Sequence, residues 1–302
     1  MKKITKWTAN DIPDQTGRVA IVTGSNTGLG FEVALELAAR GAHVIMAVRS
    51  VERGSAARDR IIEQHPNATI TVQELDLSSL ESVHTAARNI MAKFPHIDML
   101  VNNAGSITSK GQKTKEGYEI LFGTNHLGHF AFTMHLLKHM EQTPASRIVN
   151  VASVVHRKMK PHWLKMDMTD TSLRSMQAYS RSKFCNLLFT YELQRWLRGT
   201  DTICVAAHPG LANSDITRNF PRFVRFLAKF VMAKTKMGAL PILRAATDPS
   251  VLGGQYYGPH GRREHRGYPV VVCSTNMSYD IQLQRDLWKL SEKLTGFGHS
   301  DF

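Results

Sequence analysis

Short apolar runs alternate along the chain with longer segments of helical periodicity. The apolar runs predict buried strands over residues 18–24, 43–49, 69–77, 97–105, 146–153, 202–210 and 268–274. The periodic segments predict helices over residues 31–41, 51–64, 79–93, 117–140, 173–198, 238–247 and 280–294. Alternation of this kind favours a parallel sheet that is covered by helices on both faces.

The alternation runs through the whole chain without a second block, an internal repeat or a low-complexity linker. The sequence therefore predicts one α/β domain over residues 1–302, a doubly wound Rossmann fold with about seven strands. Residues 1–15 form an N-terminal extension in this interpretation. Because ligands of such sheets bind outside the carboxyl ends of the strands, the residues that follow each strand carry most of the functional information.

Composition excludes several classes of protein. Hydrophobic residues make up 42% of the chain, which is enough for a large core and argues against disorder. The three cysteines are too few and too widely spaced to indicate a disulfide framework or a zinc site. The basic N-terminus lacks the apolar core of a signal peptide, and no run approaches the roughly 18 apolar residues of a membrane span. We therefore expect a cytoplasmic protein.

The chain carries a formal net charge of +13, with its densest basic stretch at residues 216–236. A solvated basic surface explains this charge most simply. Contact with an anionic membrane surface or an anionic ligand is the main alternative, and it would make the protein membrane-peripheral. The charge is spread along the chain rather than gathered in one tail, so we expect no nucleic-acid partner.

A glycine-rich loop, VTGSNTGLG from Val22 to Gly30, joins the first strand to the first helix. Its spacing matches neither the dinucleotide fingerprint G-x-G-x-x-G nor a triphosphate-binding loop that ends in Gly-Lys-Ser/Thr. The position is nevertheless where a Rossmann sheet binds pyrophosphate, on the free amides and positive dipole of a helix N-terminus. The loop predicts a phosphate site, and an ordinary glycine-rich turn is the alternative.

The second predicted strand ends at Arg49. An NAD site has an acidic residue at this place for the ribose hydroxyls, whereas an NADP site has a cation for the 2′-phosphate. An arginine can contact phosphate in a bidentate way. If the glycine loop holds a dinucleotide, Arg49 predicts NADP(H) in preference to NAD(H); a surface arginine is the alternative.

Tyr179 and Lys183 lie four residues apart in a predicted helix and so share one face. A tyrosine pKa near 10 is too high for a base at neutral pH, and lowering it by about 3 units requires about 4 kcal/mol. One cation roughly 4 Å away supplies about that energy at an effective dielectric constant near 20. The pair therefore predicts a usable acid/base, and an exposed tyrosine–lysine pair on a helix surface is the alternative.

Several motifs follow one another in order along the chain. They are TGSNTGLG at 23–30, NNAG at 102–105, Asn125 within TNHLGHF, Ser153, YSRSK at 179–183 and HPG at 208–210. In this combination the chain resembles the short-chain dehydrogenase/reductase family from about residue 16 to residue 274. The stretches VTGSNTGLG, LDLSSLESV, NHLGHFAFT, SRIVNVAS and KFCNLLFTYEL make it most similar to the branch that contains retinol dehydrogenases and protochlorophyllide reductases.

The resemblance assigns a set of residues to the cofactor. The residues expected to contact it or to form the turns around it are Gly24, Asn26, Gly28, Leu29, Gly30, Arg49, Asp76, Leu77, Asn103, Ala104, Gly105, Tyr179, Lys183, Pro209, Gly210 and Ser214. In the family the glycine loop holds the pyrophosphate, the aspartate bonds the adenine and the Pro-Gly segment flanks the nicotinamide. Ser214 is the nearest hydroxyl where the family often has threonine, so the chain departs from the pattern there.

Asn125, Ser153, Tyr179 and Lys183 match the catalytic tetrad of the family. The resemblance implies that NADPH delivers hydride to a carbonyl carbon while Tyr179 gives a proton to the developing alkoxide. Ser153 would donate a hydrogen bond to the same oxygen. Lys183 would lower the pKa of the tyrosine and bond the nicotinamide ribose, and Asn125 would position a water that links Lys183 to solvent.

Residues 211–236 follow the segment that flanks the nicotinamide, where the family has a mobile lid over the substrate. Phe220, Phe223 and Leu227 share one helical face in this segment, interspersed with basic residues. An apolar lid predicts a lipophilic aldehyde, ketone or alcohol as the small-molecule substrate. Contact with a membrane surface through residues 216–236 and plain packing are the alternatives.

Histidines cluster in NHLGHFAFTMHLLKHM, and His135 and His139 have the spacing of metal ligands on a helix. They have no acidic or cysteine partner nearby in the sequence. The hydride and the proton of the implied reaction both have carriers already, so we expect no metal.

Other functions share these motifs. Reduction of a C=C bond, as in the protochlorophyllide branch, would use the same hydride and proton donors. A noncatalytic NADP-binding sensor is a second alternative, although the complete tetrad favours an enzyme. A sugar epimerase usually has a larger C-terminal domain than the segment after Pro209. The helices at 117–140 and 173–198 match the family's usual dimer face, so a homo-oligomer is among the expectations.

Overall fold

Eight strands form one sheet in the computed structural model, which describes residues 6–107, 111–211 and 235–297. The strands are β1 (Val19–Thr23), β2 (His43–Val48), β3 (Ile70–Glu74), β4 (Met99–Asn102), β5 (Arg147–Val151), β6 (Ile203–Ala207), β7 (Tyr256–Pro259) and β8 (Pro269–Val271). They lie in the order β3-β2-β1-β4-β5-β6-β7-β8, and all neighbours are parallel except β7 and β8. The predicted single-domain Rossmann fold is confirmed.

Helices cover both faces of this sheet. They are α1 (Gly28–Ala39), α2 (Val51–Gln64), α3 (Leu80–Lys93), α4 (Ile120–Phe122), α5 (Gly128–Glu141), α6 (Ser175–Trp196), α7 (Thr235–Thr247) and α8 (Ile281–Thr295). Apolar residues of α1, α2 and α7 pack on one face, together with Trp7 and Ile12 near the N-terminus. Those of α3, α5 and α6 pack on the other. Among the described helices, none combines the length and the apolar character needed to span a bilayer.

The side of the sheet that is formed by the last two strands of the chain, β7 and β8, differs from the prediction. The sequence pattern does not predict β7, because that strand has only four residues and contains both a glycine and a proline. The strand predicted over residues 268–274 shortens to Pro269–Val271 and runs antiparallel to β7. The sheet therefore gains one strand, and its last pair is not parallel.

The long helix predicted over residues 117–140 is interrupted. The short helix α4 leads into a π-helical turn, Gly123–Leu127, which continues directly into α5. Here the Gly128 amide donates to the Gly123 carbonyl, five residues earlier. A Cβ on Gly128 would lie 2.4 Å from the carbonyl oxygen of Leu77, so the helix approaches the loop after β3 closely at this point. The interruption thus lies where the helix meets the loops that follow the carboxyl ends of the strands.

The order of the strands reverses between β1 and β4. From β1 the chain builds outward through β2 to β3, then returns to β4 on the other side of β1 and continues to β8. The diverging crossovers leave a crevice above the carboxyl ends of β1 and β4, which is where open α/β sheets bind their ligands. The glycine loop and the NNAG turn follow these two strands.

The C-terminal helix α8 lies along α6. Every residue of α6 from Ala178 to Leu193 is buried. Trp288 of α8 packs against Phe189, with ring centroids 5.9 Å apart, and stacks on Trp196 at 5.2 Å. The resemblance implies a dimer face formed by the helices at 117–140 and 173–198. The second of these is α6, and α8 of the same chain covers part of it.

Candidate active site

The glycine loop after β1 turns sharply towards α1. Gly24 and Gly28 have left-handed backbone conformations, with φ angles of 64° and 61°. A Cβ on Gly24 would lie 2.9 Å from Ala104 Cα, and one on Gly30 would lie 2.4 Å from the side-chain nitrogen of Asn103. The loop is therefore closed against the NNAG turn, and the amino end of α1 borders the crevice.

Thr23, the last residue of β1, holds the NNAG turn in place. Its hydroxyl oxygen accepts hydrogen bonds from the backbone amides of Asn103 and Ala104, each at 2.9 Å. The side-chain amide of Asn103 donates to the Thr23 carbonyl at 2.8 Å. Two motifs that lie about 80 residues apart in the sequence thus form one hydrogen-bonded unit.

A cavity of about 480 Å³ lies above these two turns. The predicted site residues that line it are Gly24, Asn26, Gly28, Leu29, Gly30, Arg49, Asp76, Leu77, Asn103, Ala104, Gly105, Tyr179, Lys183 and Pro209. Further lining residues that the sequence reasoning does not select include Thr27, Ser50, Arg53, Ser106, Ile107 and Thr124. Ser106 and Ile107 directly follow the NNAG motif, so their position in the sequence could have identified them as lining residues.

Two arginines follow β2 at the rim of the cavity. Arg49 is exposed just beyond the strand, and Arg53 lies four residues later, in the first turn of α2. The Ser50 hydroxyl caps α2 by accepting from the Arg53 amide at 3.3 Å. Sequence reasoning selects only Arg49. The position of Arg53 in the first turn of a helix that starts directly after Arg49, at a serine cap, is the signal that could have identified it.

Asp76 forms part of the cavity wall after β3. Its Oδ1 accepts from the amide and the hydroxyl of Ser78, at 2.9 and 2.7 Å. Its own amide donates to the Ser82 hydroxyl at 3.0 Å. The carboxylate is therefore held in a tight turn, next to Leu77, which also lines the cavity.

Asn125 lies in the π-helical turn and is fully buried. Its side-chain amide donates to the Ser106 carbonyl and the Ser182 hydroxyl, each at 3.0 Å. Its Oδ1 accepts from the Ser106 amide at 2.9 Å. These bonds join the π-helical turn to the segment after the NNAG turn and to α6.

Ser153 and Tyr179 meet beside the cavity. Ser153 follows β5 and caps the 3₁₀ turn Val154–Lys158, while Tyr179 lies in the second turn of α6. Both side chains are buried. Burial raises the pKa of Tyr179 to about 12, and its hydrogen bond with Ser153 acts in the opposite direction. The phenol therefore holds its proton at neutral pH.

Lys183 lies one helical turn after Tyr179 and extends to the end of β5. Its Nζ donates to the Val151 carbonyl at 2.8 Å and lies 5.9 Å from the centroid of the tyrosine ring. Burial lowers the pKa of Lys183 to about 8. Desolvation of the phenolate outweighs the hydrogen bond with Ser153, so the pKa of Tyr179 lies above its usual value and not below it, while the effect of Lys183 on the phenol stays a prediction.

The HPG segment follows β6 and is held by a distant turn. The ring of His208 is buried: its Nε2 lies 3.1 Å from Glu264 Oε2, and its Nδ1 accepts from the Gly210 amide at 3.1 Å. Gly210 has a φ of 73°, and a Cβ there would lie 2.4 Å from the His265 carbonyl oxygen. These contacts fix the backbone next to Pro209. Because Glu264 is 56 residues away, no local pattern predicts them.

Most of the proposed lid lies outside the described residues. Ser214 and the aromatic residues of the segment fall within 212–234, which the structure does not describe. Of the predicted segment 211–236, the described parts are Leu211, whose amide donates to the His265 carbonyl at 2.8 Å, and the first residues of α7.

The clustered histidines have partners within the protein. The ring of His139 bonds the Phe94 carbonyl at 2.8 Å, and the ring of His135 packs edge-on against His84. Within residues 6–107, 111–211 and 235–297, no three side chains of the ligating types come together in a way that could hold a metal ion.

The crevice fits a dinucleotide. A Cβ on Gly105 would lie 3.4 Å from Lys183 Nζ and 3.5 Å from Asn125 Oδ1, so a side chain there would fill the space beside the tetrad. At the other end, the N-terminus of α1 offers positive dipole to a phosphate group. Arg49 and Arg53 add cationic charge at the rim. The lining thus offers such a ligand a helix N-terminus, two guanidinium groups and an open space next to Tyr179 and Lys183.

Comparison with known proteins points to one family. A family model described as short chain dehydrogenase matches residues 18–224. Human retinol dehydrogenase 11 is 37% identical over 245 residues, which cover 80% of this chain and 77% of the relative. Dehydrogenase/reductase SDR family member 13 from Bos taurus is 36% identical over 290 residues, which cover 93% of this chain and 74% of the relative.

A solved structure shares the whole fold. The crystal structure of an uncharacterized protein from Mycobacterium paratuberculosis superposes with a TM-score of 0.78 at 36% sequence identity. The match covers 97% of this chain and 98% of that protein. The similarity therefore extends beyond the cofactor loop to the full architecture.

Proposed function

Because the chain belongs to the short-chain dehydrogenase family, in the retinol dehydrogenase branch, we propose that it interconverts the carbonyl and alcohol forms of a lipophilic small molecule with NADP(H). Its class follows from the family: it is an NAD(P)-dependent oxidoreductase that acts on alcohol or carbonyl groups. The cofactor preference, the substrate and the roles of individual residues are the proposal.

The observation that carries the proposal is the arrangement of Ser153, Tyr179 and Lys183 beside the glycine loop. Two hydroxyls meet next to a cavity that has the size and charge for a dinucleotide, and a buried ammonium lies on the same helix face as one of them. Such an arrangement supports proton transfer to an oxygen in a water-poor site.

The protein's own residues would manage the proton. When bound, NADPH supplies the hydride that reduces the carbonyl carbon. Tyr179, whose pKa is raised to about 12, retains its phenolic proton at neutral pH and donates it to the carbonyl oxygen as that oxygen gains charge. The Ser153 hydroxyl donates a hydrogen bond to the same oxygen. A protonated tyrosine supports the reductive direction.

Lys183 would return the proton to the phenol. Its pKa of about 8 leaves it largely protonated at neutral pH, yet makes it a better proton donor than an exposed lysine. The Val151 carbonyl holds the ammonium in place. Asn125 bonds both Ser106 and Ser182 and so keeps the π-helical turn aligned with α6.

The rim supports NADPH over NADH. Arg49 and Arg53 both line the cavity after β2, where a 2′-phosphate would lie. The acidic residue of this turn, Glu52, is not among the residues that line the cavity. Two guanidinium groups at this turn favour a phosphate over a neutral ribose.

An apolar wall supports a lipophilic substrate. Ile107 lines the cavity and packs against a cluster of buried residues that includes Leu121, Met159 and Trp163. The name of retinol dehydrogenase 11 describes a relative that acts on a lipophilic alcohol. A substrate of similar polarity would desolvate the tetrad when it binds.

The domain organisation, the lid and the oligomeric state are also part of the proposal. We infer that residues 1–302 form one NADP(H)-binding domain, with 211–236 as a lid over the substrate or as a contact with an anionic membrane surface. The high density of basic residues over 216–236 supports the peripheral membrane contact, and the cytoplasmic location stays a prediction from the sequence. A homo-oligomer would require a surface other than the side of α6 that α8 covers.

Oxidation of NADPH against a panel of aldehydes, ketones and conjugated alkenes, followed at 340 nm, tests the proposal. We expect activity with apolar carbonyl compounds and little with NADH. Tyr179→Phe should abolish turnover while the affinity for NADPH, measured by fluorescence, is unchanged.

Two results would contradict this function. Turnover that survives in Tyr179→Phe would exclude the phenol as the acid. Reduction confined to the alkenes of the panel would replace carbonyl reduction with C=C reduction at the same site.

A further inference from the structure

His129 lies between two parts of the site that are distant in sequence. Its ring is buried at 2% exposure, in the first turn of α5. Its Nε2 lies 2.9 Å from the Thr23 hydroxyl, which holds the NNAG turn. Its Nδ1 lies 3.0 Å from the backbone carbonyl of Asn125. One side chain thus contacts both the strand end that carries the glycine loop and the residue that anchors the π-helical turn.

The partners determine which ring nitrogen carries the proton. The Asn125 carbonyl can only accept, so Nδ1 must donate to it. The Thr23 oxygen already accepts from the amides of Asn103 and Ala104. Its own proton is therefore available for Nε2, which is closer than the alternative acceptor, the Val101 carbonyl at 3.4 Å. A neutral ring with the proton on Nδ1 satisfies every member of the network.

The charge state agrees with this pattern. Burial lowers the pKa of His129 to about 3, and the ammonium of Lys183 acts in the same direction. The ring is therefore neutral throughout the physiological range and holds one tautomer. Such a ring is a fixed connector, and it does not titrate as a switch.

We propose that His129 is a positioning residue that aligns Asn125 with the cofactor turn. A π-helical turn lacks the regular i to i+4 bonding of an α-helix, so the position of Asn125 depends on contacts from outside the turn. His129 bonds the backbone carbonyl of Asn125, while Ser106 and Ser182 bond the Asn125 side chain. The bond from His129 to Thr23 connects this arrangement to the NNAG turn.

A second buried histidine in the same turn provides a matched control. His126 is 1% exposed, and burial lowers its pKa to about 3 as well. Its Nε2 lies 2.9 Å from the Ser291 hydroxyl of α8, and its ring also interacts with the Asn186 side chain of α6, so its partners are not members of the tetrad. His126→Leu and His129→Leu therefore remove similar rings from similar environments, and only the second change releases Asn125.

Hydrogen–deuterium exchange of the full-length protein tests the proposal without any ligand. The Ser106 amide donates to Asn125 Oδ1 and reports directly on the alignment of Asn125. We expect its exchange rate to rise at least about 10-fold in His129→Leu and to stay within about twofold in His126→Leu. In His129→Gln, whose amide can both donate and accept, the rate should return close to that of the unsubstituted protein.

Kinetics supply a second readout, which rests on the proposed function. His129→Leu should lower kcat for carbonyl reduction by about 10- to 100-fold with little change in the KM of the substrate, because alignment and not binding is lost. His126→Leu should keep kcat within about twofold. If the unsubstituted protein shows no reductase activity, the proposed function fails, while the exchange experiment still decides the role of His129.

The tautomer can be read in the unsubstituted protein, which keeps the test valid should His129→Leu fail to fold. Long-range ¹H–¹⁵N spectra of ¹⁵N-histidine-labelled protein, assigned with His129→Gln, should show the proton of His129 on Nδ1 between pH 5 and pH 8. A proton on Nε2, titration within this range, or equal changes of Ser106 exchange in His126→Leu and His129→Leu would overturn the proposal.

Discussion

Arg181 Nη2 lies 3.3 Å from Glu119 Oε2, and both side chains are buried. Arg181 falls between Tyr179 and Lys183 in the sequence but points to another side of α6, because two residues along a helix rotate the direction by about 200°. The Glu119 carboxylate also accepts from two backbone amides at the start of α4. The pair therefore joins α6 to the segment that leads into the π-helical turn.

Removal of this carboxylate should destabilise the fold strongly. We expect Glu119→Ala to lower the free energy of unfolding by about 3–5 kcal/mol, because a buried guanidinium loses its partner and α4 loses its cap. Urea denaturation followed by circular dichroism measures the change. The exposed Glu63→Ala is the control and should change stability by no more than about 0.5 kcal/mol. If Glu119→Ala lowered the free energy of unfolding no more than Glu63→Ala does, the Arg181–Glu119 pair would not contribute to stability.

Loss of the rim arginine should change the choice of cofactor. Arg49→Ala should raise the KM for NADPH by about 10- to 100-fold, because a charge-assisted contact with a phosphate is lost, and should leave the KM for NADH unchanged. Initial rates with each cofactor measure the effect. Arg88→Ala, an exposed arginine on α3, should change neither value. A parallel rise for both cofactors in Arg49→Ala would assign the arginine a general role in binding.

Acid should destabilise the protein through its buried histidines. Burial lowers the pKa of His126 from 6.5 to about 3. Between these two values the unfolded chain therefore binds a proton at His126 that the folded chain does not bind. Stability should therefore fall as the pH decreases from 6.5 towards 3. Between pH 7 and pH 5 this one group should account for about 2 kcal/mol.

His126→Leu isolates that contribution. The difference in the free energy of unfolding between pH 7 and pH 5 should be smaller by about 2 kcal/mol in the variant, whereas above pH 7 the two proteins should show parallel pH dependence. Urea titrations across this range provide the comparison. Identical acid dependence in the two proteins would mean that the pKa of His126 is the same in the folded and the unfolded chain.

The backbone beside Pro209 should not tolerate a side chain. Gly210→Ala combines a φ of 73° with a Cβ that would lie 2.4 Å from a carbonyl oxygen, whereas Gly199→Ala has a φ of 90° and no atom within 4 Å. We expect Gly199→Ala to cost about 1 kcal/mol from strain alone. Gly210→Ala should cost more and should also raise the KM for NADPH. Thermal melts and initial rates measure both effects, and similar outcomes for the two glycines would rule out a role for the contact.

Local patterns were sufficient to predict the elements that surround the cavity. Strands β1 to β6 are apolar runs with clear stops, and the glycine loop and NNAG turn follow two of them directly. The polar residues at these strand ends line one cavity because parallel strands place their carboxyl ends at the same edge. For this reason most of the predicted cofactor residues line one cavity, even though each sequence signal alone was weak; Gly210 is not among the lining residues, and Ser214 lies outside the described part of the chain.

The differences arise where distant contacts decide the structure. The π-helical turn depends on the approach of Gly128 to the Leu77 carbonyl, and the bond between His208 and Glu264 depends on a turn after β7. The pKa of Tyr179 depends on how completely the fold buries the phenol, which the spacing of two residues cannot reveal. Helical periodicity contains none of this information.

The covering of α6 by α8 has a consequence for biosynthesis. Among the described elements, α8 leaves the ribosome last, and the Tyr118 hydroxyl donates to the Leu294 carbonyl across 176 residues of sequence. Until α8 has been translated, Phe189 keeps its contact with Phe130 but lacks that with Trp288, so the side of α6 that α8 covers is open to chaperones or to aggregation. The packing of the helix that carries Tyr179 and Lys183 is therefore completed only after α8 has been translated.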